Sequence, residues 1–202
     1  MKIEFYNCPE PEEINAHTLP EDPAFLSYEP NFAEMQSIVN EYKQYKNLLI
    51  IGHGGSFTSF YGMYQTLREH STKQVYVLNT VDPDYIAELK NFLSPDDTLV
   101  IPISKSGETV TQIEALLQFT EFPLLFITAA LGPLSELAEK LSAKVVLHPP
   151  ISGRFTGLTE VALLPAALCG FDIVALHKSA RKVYGQFSFQ NDASKAASVM
   201  HQ

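Results

Sequence analysis

The sequence of 202 residues is 46% hydrophobic and 18% charged, which excludes a wholly disordered chain and fits one large domain, alone or with an arm. No apolar run approaches the ~20 residues of a membrane helix, and the start, MKIEFYNCPEPEEIN, has neither the basic cluster nor the apolar stretch of a signal peptide. Fourteen Lys and Arg against 23 Asp and Glu give a net charge of −9, which argues against general nucleic-acid binding.

That charge is uneven. Glu4, Glu10, Glu12, Glu13, Glu21, Asp22, Glu29 and Glu34 face a single base, Lys2, in the first 34 residues. The rest of the chain is close to neutral and can hold a local pocket for an anion. Cys8 and Cys169 do not make a disulfide framework and fit a reduced, cytoplasmic chain.

Residues 1–30 hold Pro9, Pro11, Pro20, Pro23 and Pro30 and read as an extended acidic arm, ordered only where something packs on it. Asn31 is placed to cap a helix, along which Phe32, Met35, Ile38, Val39, Tyr42 and Tyr45 recur at helical spacing to about Lys46. The chain then alternates. Strands are predicted over Leu48–Ile51, Val75–Leu78, Thr98–Ile103, Leu124–Thr128 and Lys144–Leu147. Helices are predicted over 57–69, 83–93, 109–119 and 133–141. Two apolar helical stretches, 157–169 and 172–186, follow, able to supply either core or an interface, and then a weak polar helix to Gln202. Five near-continuous apolar strands separated by helices specify an α/β fold with a five-stranded parallel sheet covered on both faces.

Parallel α/β sheets place their chemistry at the carboxyl ends of the strands, and three of those ends stand out. After the first strand comes Gly52-His53-Gly54-Gly55-Ser56. Its glycines either let backbone amides approach an anion or simply make a tight turn. It is not a dinucleotide fingerprint, since Phe57 stands where the third glycine belongs. After the third strand comes Ser104-Lys105-Ser106-Gly107-Glu108-Thr109. Three hydroxyls and a glycine at a helix N-terminus favour an anion through free N–H groups and the dipole, although a plain serine cap is the simpler alternative. Glu108 fits only as a first-turn acid facing solvent. After the fifth strand comes Ile151-Ser152-Gly153-Arg154-Phe155-Thr156, whose arginine either steadies an oxyanion from a helix start or is a surface charge.

Other chemistry is excluded or weak. His53, His148 and His177 have no partner at metal-ligand spacing, so no metal is expected, and no cofactor motif is present. There is no GxSxG elbow or P-loop, and Cys169 sits in an apolar helix.

In order and spacing the three loops resemble phosphoglucose isomerase. Gly52-His53-Gly54-Gly55-Ser56 is similar to its first glycine-rich loop, with His53 where the family usually has an aliphatic residue. Val77-Leu78-Asn79-Thr80-Val81-Asp82 resembles the strand-end segment that follows, and Ser104–Thr109 the sugar-phosphate loop. Gly153-Arg154-Phe155-Thr156, with Leu163–Leu168 and Gly170–Ile173, resembles the Gly-Arg-Phe-Ser segment and its apolar helix. The likeness covers roughly residues 47–175.

The resemblance implies a flavodoxin-like, three-layer sugar isomerase (SIS) domain over residues 31–188, with the arm before it and a linker helix over 189–202. Its strand order would be 2-1-3-4-5, which puts both hydroxyl-rich loops at the switch point. By the same resemblance Gly54, Gly55, Ser56, Ser104, Lys105, Ser106, Gly107 and Thr109 would hold the phosphate of an open-chain hexose 6-phosphate. Arg154 would stabilise the enediolate of an aldose–ketose isomerisation between glucose 6-phosphate and fructose 6-phosphate. Its loop must then fold back over the sheet edge.

Two departures bear on the chemistry. Thr111 stands where the family often has a glutamate. Full members also carry a second SIS domain, which holds the proton-moving glutamate, and no residue here matches it. Glu160, one turn into an apolar helix, reads as an exposed or capping acid. The base would come from a complementary SIS-domain chain or a partner in a homodimer. The rivals are a different one-domain SIS isomerase and a non-catalytic sugar-phosphate sensor.

Overall fold

The computed structural model describes residues 24–184, together with 195–196 and 199–200. Most of the predicted arm, with Cys8, and most of the predicted linker helix therefore lie outside the described residues.

Five strands form one parallel sheet in the order β2-β1-β3-β4-β5. They are β1 (Asn47–Ile51), β2 (Gln74–Leu78), β3 (Thr98–Ser104), β4 (Leu125–Thr128) and β5 (Lys144–Leu147). The register aligns their carboxyl ends: Ile51 pairs with Leu78 and Pro102, and Thr128 with Ser104 and Leu147. The three loops therefore emerge along one rim.

The helices are α1 (Ala24–Ser27), α2 (Phe32–Tyr42), α3 (Gly55–Leu67), α4 (Pro83–Phe92), α5 (Val110–Leu116), α6 (Pro133–Lys140), α7 (Glu160–Leu168) and α8 (Ile173–Tyr184). Side chains alternate across a strand, so β1 feeds two cores. Leu48 and Ile50 join Leu99, Ile101 and Ile103 under Met35 of α2, Phe60 of α3 and the apolar α7. Leu49 and Ile51 join Val100 and Phe126 under Leu89 of α4, Leu116 of α5 and Leu134 of α6. Both faces of the sheet are thus covered, giving three layers. A fully buried strand Leu or Ile contributes about 1.5–3 kcal/mol.

Caps set the helix starts. Asn31 accepts from the Glu34 amide at 3.1 Å, Asp82 from Asp84 and Tyr85 at 2.9 and 3.2 Å, and Thr159 from Val161 at 3.3 Å.

Two expectations are corrected and one open alternative is decided. Residues 24–27 are not extended: α1 makes one helical turn, and the segment is ordered by packing, with Phe25 stacked on Phe155 at a centroid distance of 4.9 Å and Glu29 paired with Arg181. Segment 157–169, open to either core or interface, is core, with every α7 residue but Ala167 buried. Its α-helix begins only at Glu160, because Gly153–Leu158 is a 3₁₀ segment. No described helix is long and apolar enough to cross a membrane.

Candidate functional site

The β1 loop is shaped by glycine. Gly54 has φ +52°, a left-handed conformation that disfavours a side chain. Gly55 opens α3 under stricter demands: a Cβ there would meet the carbonyl carbon of Gly153 at 2.2 Å and the Arg154 amide nitrogen at 2.5 Å. The loop after β5 thus folds back over the sheet and lays its backbone directly on the start of α3. Thr156 Oγ1 donates to the Gly153 carbonyl at 2.7 Å and fastens that loop. Arg154 stands exposed beside Gly55 and half-buried Ser56, and makes no ion pair among the described residues.

The loop after β3 is held differently. Ser104 is 2% exposed. Its Oγ accepts from the Gly107 amide at 3.1 Å and lies 3.4 Å from Thr109 Oγ1. Ser106 Oγ accepts from the Glu108 amide at 3.2 Å. Gly107 has φ +71°, and a Cβ on it would approach Thr128 Oγ1 to 3.1 Å. The amides of Gly107 and Glu108 are therefore engaged by serine oxygens rather than free for an anion. What this loop offers instead is hydroxyl protons: a serine that accepts an amide bond keeps its own O–H to donate. Lys105 is exposed and adds positive charge; Glu108 is exposed as well, but it precedes the Thr109 cap of α5 and is not a first-turn acid.

Between these loops His53 Nε2 lies 3.1 Å from Thr111 Oγ1. At the next strand ends stand two more polar residues: Thr128, which sequence reasoning did not single out, and His148, which it set aside as a metal ligand. Thr128 and His148 are buried, and neither Thr128 Oγ1 nor His148 Nε2 has a hydrogen-bond partner among the described residues. His148 Nδ1 is 2.7 Å from the Pro149 carbonyl, which only accepts, so that nitrogen carries the proton. Burial, with Lys105 as a smaller factor, holds the His148 pKa below the usual histidine value. Their only signal in the sequence is their place at a strand end.

For Glu160 the exposed alternative is corrected, and the capping one holds at a different helix. Glu160 is 7% exposed and accepts from Tyr28 Oη at 2.6 Å and from the Asn31 amide at 2.9 Å. It caps the start of another helix, α2, and ties down residues 28–31. Asp82, in the segment after β2, is a helix cap. Among the described residues no three His, Cys, Asp or Glu side chains converge as metal ligands.

The loops after β1 and β3, which carry the hydroxyls and Lys105, emerge at the β1–β3 junction, and the Arg154 loop packs on the start of α3 beside them. Curated relatives match the chain in sequence. The glucose-6-phosphate isomerase of Carboxydothermus hydrogenoformans is 28% identical over 199 residues, spanning 85% of this chain and 43% of that protein. A glucose-6-phosphate isomerase of Thermus thermophilus is 32% identical over 177 residues, spanning 81% of this chain and 41% of that protein. The chain is similar to glucose-6-phosphate isomerases over about four fifths of its own length, as a partial SIS domain of that family would be.

It spans less than half the length of these relatives. No family model matches it. Solved structures agree on the fold. The hypothetical protein TT0462 from Thermus thermophilus superposes with a TM-score of 0.75 at 29% identity, covering 84% of this chain and 44% of that one. A glucose-6-phosphate isomerase from Chlamydia trachomatis gives 0.66 at 21% identity, covering 75% and 32%.

Proposed function

We propose that this domain, taken as residues 31–188 between an arm and a linker helix, binds the phosphate of an open-chain hexose 6-phosphate. It thereby serves as the substrate-phosphate half of a glucose-6-phosphate isomerase. Ser56, Ser104, Ser106 and Thr109 donate hydroxyls, Lys105 supplies charge, and Gly54, Gly55 and Gly107 permit the loop shapes. As a base takes the C2 proton and returns it at C1, Arg154 steadies the enediolate oxygens. That base comes from a second SIS domain or another chain, in a cytoplasmic assembly.

The observation that carries this reading is the backbone contact of Gly55 with Gly153. It sets the one arginine-bearing loop beside the hydroxyl-lined junction of β1 and β3, where a parallel sheet of this order binds ligands.

Calorimetry tests it. The chain should bind glucose 6-phosphate and not glucose. Ser104→Ala with Thr109→Ala should weaken binding about tenfold or more, because each lost bond goes to a charged ligand. Unchanged affinity in the double variant would refute the site. Tighter binding of an amino-hexose phosphate would favour a different SIS isomerase.

A further inference from the structure

His53 and Thr111 lie outside the set named above, yet they join its two halves. His53 belongs to the loop after β1 and is half-buried; Thr111 lies in the first turn of α5 and is exposed. Their side chains meet at 3.1 Å across a separation of 58 residues. The contact bridges the β1–β3 junction, between the two loops that carry the hydroxyls.

A threonine hydroxyl has one proton and two lone pairs. Left alone it rotates, and its proton has no fixed aim. One neighbour resolves this in one way: Ser106 Oγ accepts from the Glu108 amide and keeps its proton to donate, while Ser104 Oγ, which accepts from Gly107, shares a further bond with Thr109 Oγ1. Thr111 has the same opportunity with an imidazole in place of an amide. In the Nε2–H tautomer, and in the imidazolium, Nε2 donates to Oγ1 and leaves the threonine proton free. A phosphate oxygen has only lone pairs to offer, so an anion at this junction selects that direction of the bond.

We propose that Thr111 is a further hydroxyl donor to the ligand phosphate and that His53 is the positioning residue that aims it. The proposal rests on the hexose-phosphate reading of the same site. It makes two positions where the sequence departs from the family pattern one unit rather than two losses. It also favours a phosphate monoester over an uncharged sugar, because a hydrogen bond to a charged acceptor is the stronger one.

Titrations of wild type with glucose 6-phosphate and with inorganic phosphate set the reference. Thr111→Val keeps the shape and removes the hydroxyl, and should weaken both ligands about tenfold. Thr111→Ser, which keeps the hydroxyl, should retain affinity and shows that the position tolerates change. His53→Ala should lose several-fold, and His53→Gln, whose carboxamide N–H still donates to Oγ1, should recover most of it. Because His53 acts through Thr111, the double variant His53→Ala with Thr111→Val should bind no worse than Thr111→Val alone. Wild-type affinity in Thr111→Val, or additive losses in the double variant, would overturn the proposal while leaving the hexose-phosphate reading intact. A wild type that binds neither ligand would remove that reading and this one with it.

Discussion

At the scale of single residues the rim of the sheet concentrates polar groups whose protons are already assigned. Ser104 and Ser106 give their lone pairs to backbone amides, and His148 gives its Nδ1 proton to Pro149. The histidine has a consequence for stability. Its pKa is lowered in the folded chain, chiefly by burial, from the ordinary value of 6.5. Above about pH 6.5 it is neutral in both the folded and unfolded chain, and the fold keeps its full stability. As pH falls below that value the unfolded chain takes up the proton first, so stability drops until the lowered native pKa is passed. Each unit of lowering corresponds to about 1.4 kcal/mol. Urea midpoints at pH 7.5 and 5.5 should therefore differ more for the wild type than for His148→Gln, which cannot titrate. Equal differences would show that His148 charges as easily in the folded state as in the unfolded one. Glu160 teaches the complementary lesson. Its partner Tyr28 is 132 residues away, so no local pattern could show that this acid would be buried.

At the scale of elements the decisive packing is that of the 3₁₀ segment Gly153–Leu158 on the start of α3. A methyl group at residue 55 would lie 2.2 Å from Gly153, so Gly55→Ala must push the two loops apart. Overpacking of this kind costs about 1–3 kcal/mol. Hexose-phosphate affinity should fall with it, because Arg154 moves away from the hydroxyls. Gly62→Ala, in the interior of α3 with open space around it, is the control. It should stabilise by up to about 1 kcal/mol through helix propensity. Denaturation and calorimetry on the two variants read this out, and equal stability of both would mean the loops do not meet. The strands and the order of helices were legible in the sequence, because apolar runs and helical stripes record burial directly. Helix ends were less so. The predicted helices 57–69 and 109–119 close as 3₁₀ turns over Arg68–His70 and Leu117–Phe119, a change of winding that leaves the apolar spacing almost untouched. The glycine and serine loops were legible from their place at strand ends. The Gly55–Gly153 contact and the His53–Thr111 pair were not, since each depends on how distant segments fold together.

At the scale of the whole molecule the question is where the proton goes. Moving it between C2 and C1 needs a base within ~3 Å of both carbons. Among the described residues the acids nearest the loops in sequence are Glu108 and Glu160. Glu108 is exposed in the loop after β3, where facing the proposed phosphate would mean repelling it. Glu160 is buried and engaged by Tyr28 and Asn31, and freeing it would strip the Asn31 amide at the start of α2 of its partner. Neither carboxylate is placed to serve as the base, so the proposed reading takes the base from a second SIS domain or another chain. The 202-residue chain alone should bind glucose 6-phosphate and yet leave its C2 hydrogen in place. Incubation with substrate deuterated at C2, followed by mass spectrometry, measures this. Retained label in the chain alone, with loss of label once a polypeptide carrying the second SIS domain is added, supports a divided active site. Washout by the chain alone that disappears in His53→Ala would instead make the imidazole the base. The domain would then be a complete enzyme, and His53 would act on substrate rather than through Thr111.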